Sequence, residues 1–157
     1  MIRAIAAFDD RRGLATDTGI PWHIPADVAH FRTLTASSTV LMGYATYSEF
    51  KSPMAGRTNY VATRRTSALR DGFIAVGDLP SFFSHFPDED LWVIGGAMIY
   101  AETLAWVEGL ELTRIAGDFG CTKFFPAFET MFRLITDEVP PPVTGVPSIR
   151  FQTWRRR

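Results

Sequence analysis

The sequence predicts an α/β protein with a mostly parallel sheet covered by helices on both faces and an antiparallel C-terminal edge. Short apolar segments alternate with helical segments through the first two thirds of the chain, a pattern typical of parallel sheets. Two late extended segments follow each other without an intervening helix, which indicates antiparallel pairing. With 157 residues, 46% of them hydrophobic, the chain has the size and composition of one domain, residues 1–157.

The predicted strands are short runs of apolar or alternating residues, several of which end at glycine or at a charged residue. The first is apolar but meets Asp9 and Asp10 too soon for a signal peptide. The strands are predicted at residues 2–8, 39–42, 58–63, 73–76, 91–94, 110–115, about 132–138 and about 148–155.

Helices are predicted over residues 25–34, 44–50, 79–86 and 97–106. Pro25 and Pro80 suit the first turn of their helices because the backbone N–H that proline lacks has no partner there. Residues 9–19 are polar and rich in Gly, Asp and Thr, which predicts a long loop that can move over whatever lies beside Trp22.

The charge balance and the scarcity of Cys and His exclude several classes of function. Sixteen basic and seventeen acidic residues give a net charge of -1, which argues against nucleic-acid binding and against electrostatic attachment to a membrane. No apolar run approaches the ~20 residues of a membrane span. The lone Cys121 cannot form an intrachain disulfide, and the three His residues lack metal-ligand spacing. A cytoplasmic protein with a metal-free mechanism is therefore expected.

One carboxylate, Asp27, stands out because of its neighbours. Pro21 and Pro25 stiffen the segment around Trp22, and helical spacing places Asp27 on the same side as the apolar Phe31. Asp27 could be an ordinary acid at a helix start that satisfies free N–H groups. The flanking aromatic residues favour instead a buried acid with a raised pKa that faces a flat ligand.

Three predicted parallel strands end in residues suited to phosphate binding: Gly43, residues 63–65, and Gly95-Gly96. A glycine pair lets the backbone approach a pyrophosphate closely, and the next helix offers free N–H groups. The pair is not a G-x-G-x-x-G fingerprint, so a tight packing turn is an alternative.

Taken together, the motifs of this sequence resemble those of dihydrofolate reductase over nearly the whole chain. They are Ile5-Ala6-Ala7, Pro21-Trp22 with Pro25-Ala26-Asp27 and Phe31, Met42-Gly43 with Thr46, Pro53, Gly56-Arg57 with Asn59, Val93-Ile94-Gly95-Gly96 with Tyr100, and Leu112-Thr113. The resemblance implies an eight-stranded, mainly parallel sheet with four helices and a cis peptide bond between the two glycines. It also implies a monomer that reduces 7,8-dihydrofolate to tetrahydrofolate with NADPH and binds antifolate inhibitors.

The resemblance implies a role for each candidate site residue. Asp27 would bind N3 and the 2-amino group of the pterin and support protonation at N5 through a water near Trp22, with Thr113 orienting it. Substrate would contact Ile5, Val28, Phe31, Phe50, Met54 and Ile94, and Arg57 would pair with its α-carboxylate. NADPH would contact Ala7, Ile20, Gly43, Thr46, Thr63, Arg64, Arg65, Gly95, Gly96, Ala97 and Tyr100. Simpler alternatives are a core position for Tyr100 and a solvated turn position for Arg57.

The sequence also departs from the family pattern. Tyr44 occupies a position where a basic residue commonly reaches the 2′-phosphate, and Met98 occupies a position that is often Arg. The usual set of phosphate contacts is therefore reduced, and Arg64 and Arg65 could replace it. Cys121 stands where an Asp commonly follows the glycine, which predicts altered kinetics of the loop over the site.

Two other functions share parts of this pattern. A reductase of the related riboflavin pathway would use NADPH on a ribosylated pyrimidine, but Asp27 and Arg57 favour the folate reaction. A nucleotide-binding module without catalysis is the other alternative, because Tyr44 and Met98 weaken the expected cofactor site.

Overall fold

The computed structural model describes residues 1–157 and is built around an eight-stranded sheet. The strands are β1 (Ile2–Phe8), β2 (Gly13–Ala15), β3 (Thr39–Gly43), β4 (Thr58–Ala62), β5 (Phe73–Val76), β6 (Leu91–Val93), β7 (Gly109–Ile115), β8 (Lys123–Phe124), β9 (Phe132–Glu138) and β10 (Ile149–Arg156). The helices are α1 (Pro25–Thr35), α2 (Tyr44–Glu49), α3 (Leu79–His85) and α4 (Ala97–Thr103), followed by one 3-10 turn, Leu104–Trp106.

The strand order in the sheet is β5-β4-β3-β6-β1-β7-β10-β9. Neighbouring strands from β5 to β7 run parallel, whereas β10 is antiparallel to both β7 and β9. The predicted α/β class, the eight-stranded mainly parallel sheet with an antiparallel C-terminal edge and the four helices are confirmed. In such a sheet the carboxyl ends of β1, β3 and β6 lie at one edge, which is where the candidate site residues gather.

The alternation of side chains along β1 separates two apolar layers. Ala4, Ala6 and Phe8 point into the larger one, which α3 and α4 cover, while Ile5 points into the layer beneath α1 and α2. Burial of both faces explains why the inner strands read as continuous apolar runs.

Two predicted elements differ from the structure. The loop predicted over residues 9–19 contains the short strand β2, which pairs with β8. Next to this pairing, the Thr122 N–H donates to the Ala15 carbonyl at 2.9 Å. The helix predicted over residues 97–106 ends at Thr103 and continues as the 3-10 turn. Strands as short as β2 and β8 leave no detectable period-two pattern, which is why the pairing was missed. No helix is long and apolar enough to cross a membrane.

Candidate active site

Asp27 is the third residue of α1 and is half-buried. The helix begins at Pro25 after an extended Ile24, and no side chain accepts a capping hydrogen bond at this end. The structure therefore does not support the alternative in which Asp27 satisfies free N–H groups at the helix start.

Burial raises the pKa of the Asp27 carboxyl above its ordinary value. A hydrogen bond from the Thr113 hydroxyl and the charge of His30 both act in the opposite direction. Thr113 is 2% exposed on β7, and the His30 ring stacks on Phe151 with the ring centroids 4.1 Å apart. Phe151 is the register partner of Thr113, so β10 supports His30 while Thr113 and His30 act on the carboxylate from β7 and α1.

The raised pKa of Asp27 predicts a cost to stability at neutral pH. Because the folded state binds this proton more tightly than the unfolded state does, stability falls as pH rises from the unfolded pKa through the raised folded pKa. We expect Asp27→Asn to raise the urea midpoint of unfolding at pH 7, and we expect this gain to vanish by about pH 3, where both states are largely protonated. An equal effect at both pH values would contradict a buried, charged Asp27.

Most of the aromatic and aliphatic candidates lie together on the face of the sheet that α1 covers. Ile5 belongs to the apolar layer beneath α1 and α2, and Phe31, Phe50, Met54 and Ile94 pack against that layer. Val28, one residue beyond Asp27, is half-buried but lies outside this layer. The structure thus brings five of the six predicted ring contacts into one apolar layer.

Arg57 is held in place by backbone and side-chain acceptors. One terminal nitrogen donates to the Ala55 carbonyl at 2.8 Å, and the other donates to the Arg32 carbonyl at 2.9 Å and the Thr35 hydroxyl at 3.1 Å. Its Nε is buried without a partner. The guanidinium is therefore fixed against the end of α1 instead of extending into solvent.

Gly43, at the end of β3, and Gly95-Gly96, shortly after β6, lie side by side and form one surface, called the joined glycine surface below. The peptide bond between Gly95 and Gly96 is cis, and the Gly43 N–H donates to the Gly95 carbonyl at 2.8 Å. Ala97 begins α4, and a Cβ added at Gly96 would meet the Thr46 hydroxyl at 3.7 Å. Gly43, Thr46 and Gly95 to Ala97 are therefore neighbours, as the sequence predicts.

Tyr100 is 5% exposed, and its hydroxyl donates to the Ile5 carbonyl at 2.6 Å. Burial, and then the negative charge of Asp27, raise the pKa of Tyr100 well above its ordinary value. Tyr100 is therefore a neutral hydrogen-bond donor that ties α4 to β1 between the glycine pair and Asp27. The core position predicted as an alternative for Tyr100 is thus also real, because the side chain is buried.

Trp22 lies in the loop between β2 and α1, close to the start of the helix that carries Asp27. Its indole meets the Phe119 ring edge-on, with the centroids 5.2 Å apart, and both pack with Ala7 against a small apolar cluster that includes Ile24. Ile20, two residues earlier, is 65% exposed and packs on no apolar cluster.

The predicted phosphate-binding arginines lie on the surface beside Tyr44. The Arg65 guanidinium stacks over the Tyr44 ring, 4.0 Å from its centroid, and the Arg65 N–H donates to the Thr63 hydroxyl at 3.1 Å. Arg64 is exposed, as is Met98 at 74%. Tyr44 stands where the family commonly has a basic residue. The stack therefore places the charged Arg65 side chain next to the position that lacks one.

Sequence reasoning missed two residues near the site, His30 and Asp9. His30 carries a weak signal, since it lies one helical turn after Asp27. Asp9 is 1% exposed, although its sequence context is that of an ordinary charged residue at a strand end. No group of three or more His, Cys, Asp or Glu residues is placed to hold a metal ion.

A family model and several curated relatives indicate one family. The family model described as dihydrofolate reductase matches residues 1–156. Dihydrofolate reductase of Bacillus subtilis is 31% identical over 140 residues, which are 88% of this chain and 83% of the relative. Dihydrofolate reductase type 3 of Salmonella typhimurium is 33% identical over 82% of this chain and 80% of the relative.

A solved structure supports the same fold. Dihydrofolate reductase from Enterococcus faecalis, complexed with NADP(H) and RAB-propyl, superposes with a TM-score of 0.91 and 21% identity. The match covers 100% of this chain and 96% of the other.

Proposed function

The chain belongs to the dihydrofolate reductase family, and we propose that it reduces 7,8-dihydrofolate with NADPH at a site in which Asp27 anchors the pterin. The Asp27 carboxylate carries this proposal. It is half-buried on the helix that covers the apolar layer, it accepts no capping hydrogen bond from a backbone N–H, and burial raises its pKa. Such a group is suited to a cationic or hydrogen-bond-donating ring.

The proposed reaction adds a hydride to C6 of the pterin and a proton to N5. NADPH supplies the hydride and leaves as NADP⁺. Asp27 accepts hydrogen bonds from N3 and the 2-amino group, which raises the basicity of N5 or guides a proton to it through a water near Trp22. Thr113 orients the carboxylate by donating its hydroxyl hydrogen.

The remaining substrate contacts follow from the apolar layer. Phe31, Val28, Phe50 and Met54 would line the aminobenzoyl group, with Ile5 and Ile94 as further contacts to the substrate. Arg57 would pair with the α-carboxylate; the Ala55, Arg32 and Thr35 acceptors fix its guanidinium, and a positive charge held in one place supports this role because it attracts a carboxylate.

The joined glycine surface fits a pyrophosphate. A Cβ at Gly96 would meet only the Thr46 hydroxyl within 4 Å, so the backbone there is open to a ligand. Gly43, Thr46 and Gly95 to Ala97 would bind the pyrophosphate, while Ala7, Ile94 and Tyr100 would flank the nicotinamide. Ile20 would contact it from the loop, and Thr63 would lie toward the adenosine end.

All of these residues come from one chain. In this proposal residues 1–157 act as one domain and the enzyme works as a monomer, open to antifolates that compete for Asp27. A single free cysteine suits a reducing compartment such as the cytoplasm.

We expect the surface arginines to provide NADPH preference. The Arg64→Ala, Arg65→Ala double variant should lower the ratio of kcat/KM for NADPH over NADH by about tenfold or more, because hydrogen bonds to a charged phosphate contribute about 1.5–3 kcal/mol. Steady-state kinetics with both cofactors measures this ratio. Arg133→Ala, on the exposed strand β9, is the matched control. An unchanged ratio in the double variant would show that neither arginine contacts the 2′-phosphate.

The proposed function as a whole is tested by NADPH consumption. We expect loss of NADPH absorbance with dihydrofolate, blocked by a diaminopyrimidine antifolate, and no consumption with the ribosylated pyrimidine of the riboflavin pathway. Consumption with the pyrimidine alone would assign the chain to that reaction, and binding of NADPH without any turnover would indicate a nucleotide-binding module.

A further inference from the structure

The Asp9 carboxylate, immediately after β1, connects two loops. One of its oxygens accepts the N–H groups of Arg11 at 3.0 Å and Gly13 at 2.8 Å, within its own turn. The other oxygen accepts the N–H of Phe119 at 3.1 Å, from the loop after β7. At 1% exposure, Asp9 has almost no contact with solvent. Both oxygens are thus used; the second one bonds the Phe119 backbone, and the Cys121 thiol from the same loop also contacts the carboxylate.

The loop between β7 and β8, residues 116–122, is called the far loop below, and its Phe119 ring contacts Trp22. Phe119 meets the indole edge-on at an interplanar angle of 72°, and its ring packs in the same apolar cluster as Trp22, around Ile24 and Ile115. The backbone N–H that Asp9 holds and the ring that touches Trp22 therefore belong to one residue. Asp9 is therefore linked to the Trp22 indole by two successive contacts, the hydrogen bond from Phe119 and the ring contact of Phe119.

We propose that Asp9 is a positioning residue for Trp22, acting through Phe119: the carboxylate fixes the Phe119 backbone, and the Phe119 ring fixes the indole over the site. The inference rests on the proposed role of Trp22 in guiding the proton to N5. It adds a residue that touches neither substrate nor cofactor.

The charge of Asp9 suits this role at neutral pH. Burial would raise the pKa of its carboxyl, but hydrogen bonds from Phe119, Gly13 and Arg11 outweigh burial and hold the pKa below its ordinary value. The Cys121 thiol packs beside it, and burial together with the Asp9 charge raises the pKa of that thiol. The neighbouring cysteine is therefore an uncharged packing group.

The surroundings of Asp9 leave little freedom for rearrangement. A Cβ added at Gly13 would lie 2.5 Å from the Cys121 Cβ and 2.8 Å from the Asp9 carboxylate. The turn, the thiol and the carboxylate are therefore closely packed, and a lost bond cannot be replaced by a small shift.

Asp9→Asn separates the two functions of the carboxylate. If the amide oxygen keeps the Arg11 and Gly13 bonds, its NH₂ group faces the Phe119 N–H, and two donors cannot pair. The reverse orientation would lose two bonds instead of one. The variant therefore breaks the bond to the Phe119 backbone while it keeps the local turn. Phe119→Leu breaks the next contact and leaves the carboxylate unchanged.

Asp10→Asn is the matched control. Asp10 is exposed and accepts the N–H of Gly117 at 2.9 Å, in the same far loop and next to the Phe119 ring. This variant makes the same chemical change, but its amide oxygen can keep the Gly117 bond while its NH₂ group faces solvent, and the bond from Phe119 to Asp9 stays intact.

The experiment follows the Trp22 indole N–H by NMR in the ligand-free enzyme, assigned with Trp22→Phe, together with single-turnover hydride transfer. We expect Asp9→Asn and Phe119→Leu to shift the indole signal and to slow hydride transfer about threefold to tenfold, with Asp10→Asn close to the parent. Added to Trp22→Phe, neither should slow the reaction further, since both act through the indole.

An unshifted indole signal in Asp9→Asn, or full additivity with Trp22→Phe, would overturn the inference. If Asp9→Asn does not fold, Phe119→Leu decides by the same two readouts. A normal hydride-transfer rate in Trp22→Phe would refute the proposed role of Trp22 and with it any role of Asp9 in catalysis. In that case the indole signal still reports whether Asp9 positions the ring.

Discussion

Replacement of Asp27 by asparagine is expected to lower kcat/KM for dihydrofolate at neutral pH by about 100-fold or more, the usual size of a lost acid–base group. The amide would remain beside Thr113 and the apolar layer but could not hold a negative charge against the ring. The loss should appear in the hydride-transfer step, because the anchor and the N5 proton are both needed there. Single-turnover kinetics across pH measures it.

The pH dependence separates this role from simple binding. We expect the activity of Asp27→Asn to rise as pH falls, because the solution then supplies the proton that the parent enzyme directs to N5. Thr113→Val is the comparison variant: it keeps the carboxylate but removes a hydrogen bond that lowers the pKa of Asp27, so its profile should shift to higher pH with a smaller loss of rate. Unchanged activity of Asp27→Asn at pH 7 would refute the proposed role.

Gly95→Ala is expected to damage both stability and cofactor binding. Gly95 has φ +113°, a region that costs other residues about 1–3 kcal/mol, and an added Cβ would lie 3.2 Å from the Tyr100 hydroxyl. That hydroxyl is held by the Ile5 carbonyl and cannot move away without breaking a buried bond. Denaturant unfolding and NADPH titration should show a lower midpoint and at least about tenfold weaker binding.

Gly96→Ala is the matched variant that separates the cofactor contact from the backbone. Gly96 has φ -85°, and its added Cβ would make only an ordinary contact with Thr46 at 3.7 Å. It should destabilise the fold less than Gly95→Ala does while still weakening NADPH about tenfold, because its Cβ would occupy the pyrophosphate surface. Parent-like NADPH affinity in Gly96→Ala would exclude that surface from the cofactor site.

The helix and glycine positions that build the site could be predicted because their signals are local. Pro25 marks the start of α1, predicted over residues 25–34 and observed as Pro25–Thr35. Gly43 and Gly95-Gly96 mark the ends of β3 and β6, since glycine is needed where backbones approach closely. The family resemblance then predicts that these positions surround one site that contains Asp27.

The remaining parts of the site depend on contacts between distant segments. The bond from Phe119 to Asp9 joins residues 110 positions apart, and a carboxylate at a strand end looks the same in sequence whether it is buried or solvated. The stack of Arg65 on Tyr44 is similar: the sequence indicates that a basic residue is missing and another is near, but the 4.0 Å contact requires the folded chain. His30 reaches Phe151 only because β10 pairs with β7.

A crystal structure of the enzyme with NADP⁺ and folate would test the central claim, that Asp27 anchors the pterin beside the glycine surface. We predict the Asp27 carboxylate within about 2.7–3.0 Å of pterin N3 and the 2-amino group, with Arg57 on the α-carboxylate. The nicotinamide should lie between Ala7 and Ile94. A pterin ring bound elsewhere, with the Asp27 carboxylate contacting only protein groups, would contradict the account.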